Sequence, residues 1–261
     1  MVVYFMKPFV IIPKNKFIVY TMKKISYQLF QKFFANFIIA LSLCLLGLLT
    51  YSGGVAGAFS STNTMPIYFG NPDNNVISLM FNVYQGNEFV EQIIKILEQN
   101  NVKATFFVGG IWVEKNNDCF LKIHQSGNEI ASHGYWHKDH KNLSDNEQIN
   151  EILLCEDLVN NLINTKMDLF APPSGSYNKS TAVLAESLGY KTIMWSKDTI
   201  DWRDQDTNLI YSRATKNPVA GDLILMHPTK ATASILDKII KHYLSIGLKV
   251  DTVSSNIKNL T

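Results

Sequence analysis

From Val76 onward, short apolar runs alternate with stretches whose apolar residues recur at helical spacing. "VISLMFNV" (76–83) predicts a buried strand and "EFVEQIIKILEQ" (88–99) an amphipathic helix. "ATFFV" (104–108) predicts the second strand, followed by a helix that closes near Gly127, a residue suited to a C-terminal cap. "EIAS" (129–132) reads as a short strand. Ser144 and Glu147 have the spacing of a capping box and open a long helix with an apolar stripe at Ile149, Ile152, Leu153 and Leu162. "LFA" (169–171), "KTIMW" (191–195), "DLILM" (222–226) and "LKVDT" (248–252) supply further strands. Helices fill the gaps, one closing at Gly189 and another at Gly247.

Strands that alternate with helices predict an α/β fold with parallel strands and crossover helices. Seven such strands without a dinucleotide glycine fingerprint favour a closed (β/α)7-type barrel, with an open sheet as the alternative. In a barrel, catalytic groups stand where strands end and loops begin. Asn82 ends the first strand, His133 follows the third, and Ala171-Pro172-Pro173-Ser174-Gly175 follows the fourth. Asp198 and Asp201 follow the fifth and His227 the sixth, so polar groups far apart in sequence are expected on one rim.

The chain ahead of this body has a different character. Lys7, Lys14, Lys16, Lys23, Lys24 and Lys32 all precede Asp73, the first acidic residue. With those six of the 24 basic residues set aside, 18 stand against 22 acidic ones, and a mildly acidic body gives no reason to expect nucleic acid. The lysines lead into an uncharged apolar stretch, 33–59, which reads as a membrane-targeting signal. The run from Phe37 to Tyr51 is short for a full span of about 20 residues. Val55–Ala58 ("VAGA") resembles a cleavage site, and Met22 would make a more typical signal start than Met1. The expected organisation is a leader or anchor over 1–58, a linker over 59–75 and the barrel over 76–261. The body is expected outside the cytoplasm, tethered to the membrane or released. Of three cysteines, Cys44 lies in the apolar run, while Cys119 and Cys155 read as buried free thiols, with pairing as the alternative.

"EIASHGYWHKDH" (129–140) holds three of the six histidines. Two imidazoles from one post-strand loop suit zinc or a similar borderline cation, although a solvated loop or a structural histidine has the same spacing. Asp201 and His227 make an orienting carboxylate and a proton donor. Capping of the helix near Asn208 is the plainer reading of Asp198 and Asp201.

Over residues 76–255 the body resembles the polysaccharide deacetylase family, carbohydrate esterase family 4. Its His-x-x-x-His motif is matched by His133 and His137, which the resemblance implies are metal ligands. "DTIDW" places Asp201 and Trp202, and Leu225-Met226-His227 matches the motif whose histidine is the general acid. The resemblance implies a distorted (β/α)7-type barrel and a divalent metal: zinc, with cobalt or nickel as alternatives. It also implies N-deacetylation of a polymer such as peptidoglycan or chitin, with Tyr84, Pro173, Ser174, Trp202 and Leu225 against the sugar.

Two motifs depart from the family. Where it carries a catalytic aspartate followed by a metal-binding one, this chain has Asn82 and Val83, and the arginine of the third motif is replaced by Ala171. Glu88 or Asp139 could supply the missing oxygen, which would leave a metal hydrolase with a rebuilt site. The alternative is an inactive glycan-binding or structural protein of the envelope, with Tyr84, Trp136 and Trp202 available for stacking.

Overall fold

The computed structural model describes residues 30, 33–34, 36–44, 47 and 64–260. The chain divides into two units, Met1–Ser60 and Ser61–Thr261. In the first, the described residues are helical, and no described helix is long and apolar enough to cross a membrane. The cleavage-like Val55–Ala58 and residues 59–63 of the expected linker lie outside the described residues.

The second unit is built on β1 (Val76–Val83), whose residues are all buried. The alternation of a strand sends its side chains to two faces. Ile77, Leu79, Phe81 and Val83 join the large core under the helices, while Met80 joins an inner cluster with Phe107, Ala131 and Leu223. Both faces are covered, which is why β1 reads as a nearly continuous apolar run broken only by Ser78 and Asn82. Complete burial of a side chain such as Phe81 or Leu79 contributes about 1.5–3 kcal/mol.

Beside β1 lie β2 (Thr105–Val108), β3 (Glu129–Ser132), β4 (Leu169–Phe170) and β5 (Lys191–Thr192). On the other side are β7 (Leu223–Met226) and β6 (Lys197–Asp198), and β8 (Lys249–Val250) pairs with the start of β1. The order is β5-β4-β3-β2-β1-β7-β6, and every pairing is parallel. The ends of this path, β5 and β6, are not paired with each other among the described residues, so the expected closed barrel is a half-barrel. The reason is connectivity. Only residues 193–196 separate β5 from β6, whereas parallel neighbours need a crossover of about a dozen residues. At this seam Ile67 bridges Ile193: its N–H donates to Thr192 O, and its own carbonyl accepts from Met194 N, both at 2.8 Å. Residues 64–75, read from composition as linker, thus contribute to the half-barrel's edge.

Helices α1 (Val90–Gln99), α2 (Gly110–Lys115), α3 (Asn117–Gln125) and α4 (Asp145–Ile163) follow the first three strands. The single helix expected before Gly127 is broken at Asn116, whose φ/ψ of −129°/41° is non-helical. The capping box of Ser144 and Glu147 opens α4. The buried face of α4 is Gln148, Glu151, Ile152, Cys155 and Val159; Leu153 of the expected stripe is exposed. Cys119 and Cys155 are buried free thiols. The remaining helices are α5 (Lys179–Ser187), α6 (Thr207–Thr215), α7 (Lys230–Ser245) and α8 (Val253–Asn256).

Candidate functional site

His133 is the first residue beyond β3 and is wholly buried. Its Nδ1 lies 2.8 Å from the carbonyl oxygen of Ala171. A carbonyl only accepts, so Nδ1 carries the proton and Nε2 offers a lone pair. That Nε2 has no hydrogen-bond partner. Burial, and then the neighbouring His137, push the imidazole pKa well below its ordinary value. His137 is reached through a left-handed turn, with Gly134 at φ +74° and His137 itself at +58°. Glu151, buried on α4, holds this turn by accepting the N–H groups of Tyr135 and Trp136 at 3.0 and 2.9 Å.

Tyr84 follows β1 and stacks on His137 with ring centroids 3.8 Å apart. The same phenol ring lies 5.9 Å from the His133 ring and 6.1 Å from that of His227. Desolvation, and then the charge of Asp201, raise the Tyr84 pKa. Asn82 is buried and lines the cleft, and its Oδ1 has no hydrogen-bond partner. Its neighbour Val83 points the other way, into the core.

The opposite wall carries a complete network. Asp201 is fully buried and accepts His227 N at 2.6 Å and the Thr232 hydroxyl at 2.5 Å. Its second oxygen is 2.8 Å from His227 Nδ1. The imidazole is therefore held with Nδ1 against the carboxylate and Nε2 as the atom left for a ligand. Thr232 was not legible as a site residue, because a hydroxyl five residues after a motif gives no signal of its own. Asp198 caps the intervening loop by accepting Ile200 N at 2.8 Å, and the N-cap of α6 is Asp206.

These groups share a recess of about 390 Å³ lined by Asn82, Tyr84, His133, His137 and His227 together with Ser174, Trp195, Asp198, Trp202 and Leu225. A second recess of about 440 Å³ adjoins it across Tyr84 and Trp202 and includes Glu88 and Lys230. The structure therefore gathers Asn82, Tyr84, His133, His137, Ser174, Trp202, Leu225 and His227, with Asp201 behind His227. Others lie elsewhere. Glu88 precedes α1 instead of opening it, is exposed, and accepts Asn87 N at 3.0 Å. Asp139 is exposed and accepts the Asn142 side chain at 2.8 Å. Pro173 is buried behind Gly134, and Trp136 packs on Tyr135. Trp195 lines the recess instead, although its sequence position gave only a strand end.

A divalent metal needs more than this donor set supplies. Catalytic zinc sites use three protein ligands, and the lone pair of His133 Nε2 beside His137 suits two of them. The position at which the resemblance implies a carboxylate ligand holds Val83, in the core, and neither Glu88 nor Asp139 lines the recess with the histidines. Among the described residues, no three His, Cys, Asp or Glu side chains are grouped to hold a metal.

Comparison with known proteins matches this architecture. Residues 69–193 match the model of the polysaccharide deacetylase family. A carbohydrate esterase family 4 pseudoenzyme from Bacillus anthracis superposes with a TM-score of 0.73 at 34% identity, covering 75% of this chain and 69% of that one. The chain belongs to the polysaccharide deacetylase family. A mutant of that pseudoenzyme is described as having restored enzymatic activity. Among curated relatives, the uncharacterized protein YlxY of Bacillus subtilis is 36% identical over 189 residues, 72% of this chain and 59% of that protein. A peptidoglycan-N-acetylglucosamine deacetylase of Bacillus cereus is 29% identical over 203 residues, 76% of this chain and 74% of its own length. Where the resemblance implies a general acid and its orienting carboxylate the chain carries His227 and Asp201, and where it implies the two aspartates it carries Asn82 and Val83.

Proposed function

We propose that this chain holds an amino-sugar polymer of the peptidoglycan type in the cleft beneath Trp202, and hydrolyses its N-acetyl groups slowly or not at all. The observation that carries this reading is the division of the machinery between two walls. His227, oriented by the buried Asp201, can present a proton at Nε2 to a departing amine. Asn82 faces the same recess with a carboxamide, which cannot take a proton from water. Val83, in the place of the carboxylate ligand, is turned into the core. General acid–base groups contribute about 10²–10⁴-fold each, so the missing base alone removes turnover on that scale. Similarity to a pseudoenzyme at 34% identity supports the reading. The lysine-rich leader and its apolar run support a location outside the cytoplasm, tethered or released.

A second reading, metal-dependent N-deacetylation with zinc, cobalt or nickel, is favoured by the unpartnered lone pair of His133 beside His137. One experiment separates them. Metal content and acetate release from N-acetylglucosamine oligomers and peptidoglycan are measured on the purified chain, with polymer binding in parallel. Retention of polymer without acetate supports the binding reading. A metal lost on substituting His133 and His137 by alanine, together with acetate release abolished in His227→Ala, establishes the hydrolase and overturns it.

A further inference from the structure

Two buried acceptors in the recess of about 390 Å³ lack donors. His133 Nε2 and Asn82 Oδ1 both line it, and neither has a hydrogen-bond partner. A buried orphan of this kind is unfavourable until something donates to it. The tautomer of His133, fixed by Ala171, leaves Nε2 able to accept only. Tyr84, Trp195 and Trp202 line the same recess. The lining contains the carboxylate of Asp198 and no lysine or arginine, and Lys230 belongs to the adjoining recess. Lone pairs, aromatic rings and the Asp198 carboxylate, with no lysine or arginine and with His227 backed by the buried Asp201 carboxylate, make a receptor for a cation that donates hydrogen bonds.

We infer that this recess recognises a protonated primary amine, the free amino group of a de-N-acetylated sugar, in preference to the acetamide of the acetylated one. The inference rests on the reading of the cleft as an amino-sugar site and names the form of the sugar that it takes. An ammonium brings three donors and a charge to the two orphaned acceptors and the aromatic walls. An acetamide brings one N–H donor and no charge. The domain would thus read where an active deacetylase has already worked.

The test is calorimetric titration of the full chain with glucosamine tetramer and with N-acetylglucosamine tetramer, at a pH where the sugar amine is protonated and with chelator present. The glucosamine tetramer is expected to bind roughly tenfold or more tightly. Trp202→Ala, at an exposed position, is expected to reduce that preference. Asn82→Asp, which adds a charge beside the amine, is expected to increase it. Equal or tighter binding of the acetylated tetramer overturns this inference and leaves the glycan reading intact. Binding of neither tetramer overturns both. Binding that requires zinc in place of chelator assigns the lone pairs to a metal and also overturns the inference.

Discussion

His140 provides a quantitative test of the buried polar layer behind the cleft. It is fully buried against the ring of Phe170, centroids 5.0 Å apart, and neither ring nitrogen has a hydrogen-bond partner. Desolvation lowers its pKa from 6.5 to about 4, with the Gln148 side chain and the charge of Asp139 opposing only in part. Because the folded pKa is the lower one, the unfolded chain binds the proton first as pH falls. The native state is then at no disadvantage above pH 6.5 and loses stability progressively down to pH 4. At about 1.4 kcal/mol per pH unit, the loss amounts to about 3 kcal/mol. His140→Leu removes this titration and two unpartnered polar atoms, so the variant should match or exceed the parent at neutral pH. Urea unfolding of both proteins across this pH range measures the difference. His133, depressed in the same direction by burial, contributes to both curves and cancels. The gap between variant and parent should widen by about 3 kcal/mol on acidification. Parallel curves would refute the assignment of a buried, neutral His140.

Three further outcomes follow from the turn and the acid wall. Glu151→Ala removes the acceptor of two backbone N–H groups; a loss of about 3 kcal/mol is expected, with faster hydrogen exchange at Tyr135 and Trp136, and unchanged exchange would show that the clamp is unimportant. Gly134→Ala places a Cβ 3.0 Å from Glu151 Oε2 at a φ of +74°, which should cost about 1–2 kcal/mol in thermal unfolding; an unaltered melting temperature contradicts the geometry. Thr232→Val, nearly isosteric, takes from Asp201 one of its donors. A loss of about 1–2 kcal/mol in denaturant unfolding is expected, whereas a gain would mean that the hydroxyl is dispensable.

The periodicity of the chain determined most of the framework. β1, the capping box of α4 and the glycine closing α3 were legible because each depends on neighbours within a few residues or on burial repeated at a fixed period. The His133/His137 pair, Asp201 and His227 were legible as residues that follow strands, and parallel strands carry such positions to one rim. What the sequence left open depends on which distant groups meet. Closure against half-closure turned on a four-residue connection between β5 and β6, a constraint that strand patterns alone do not express. The strand's two faces decided that Asn82 enters the cleft while Val83 enters the core. Only the folded chain could bring Glu151 under the turn, the Ala171 carbonyl to His133, and the Tyr84 ring onto His137. A polar residue in a helix or a lone carbonyl has no distinguishing local pattern, so its partner is set by tertiary packing.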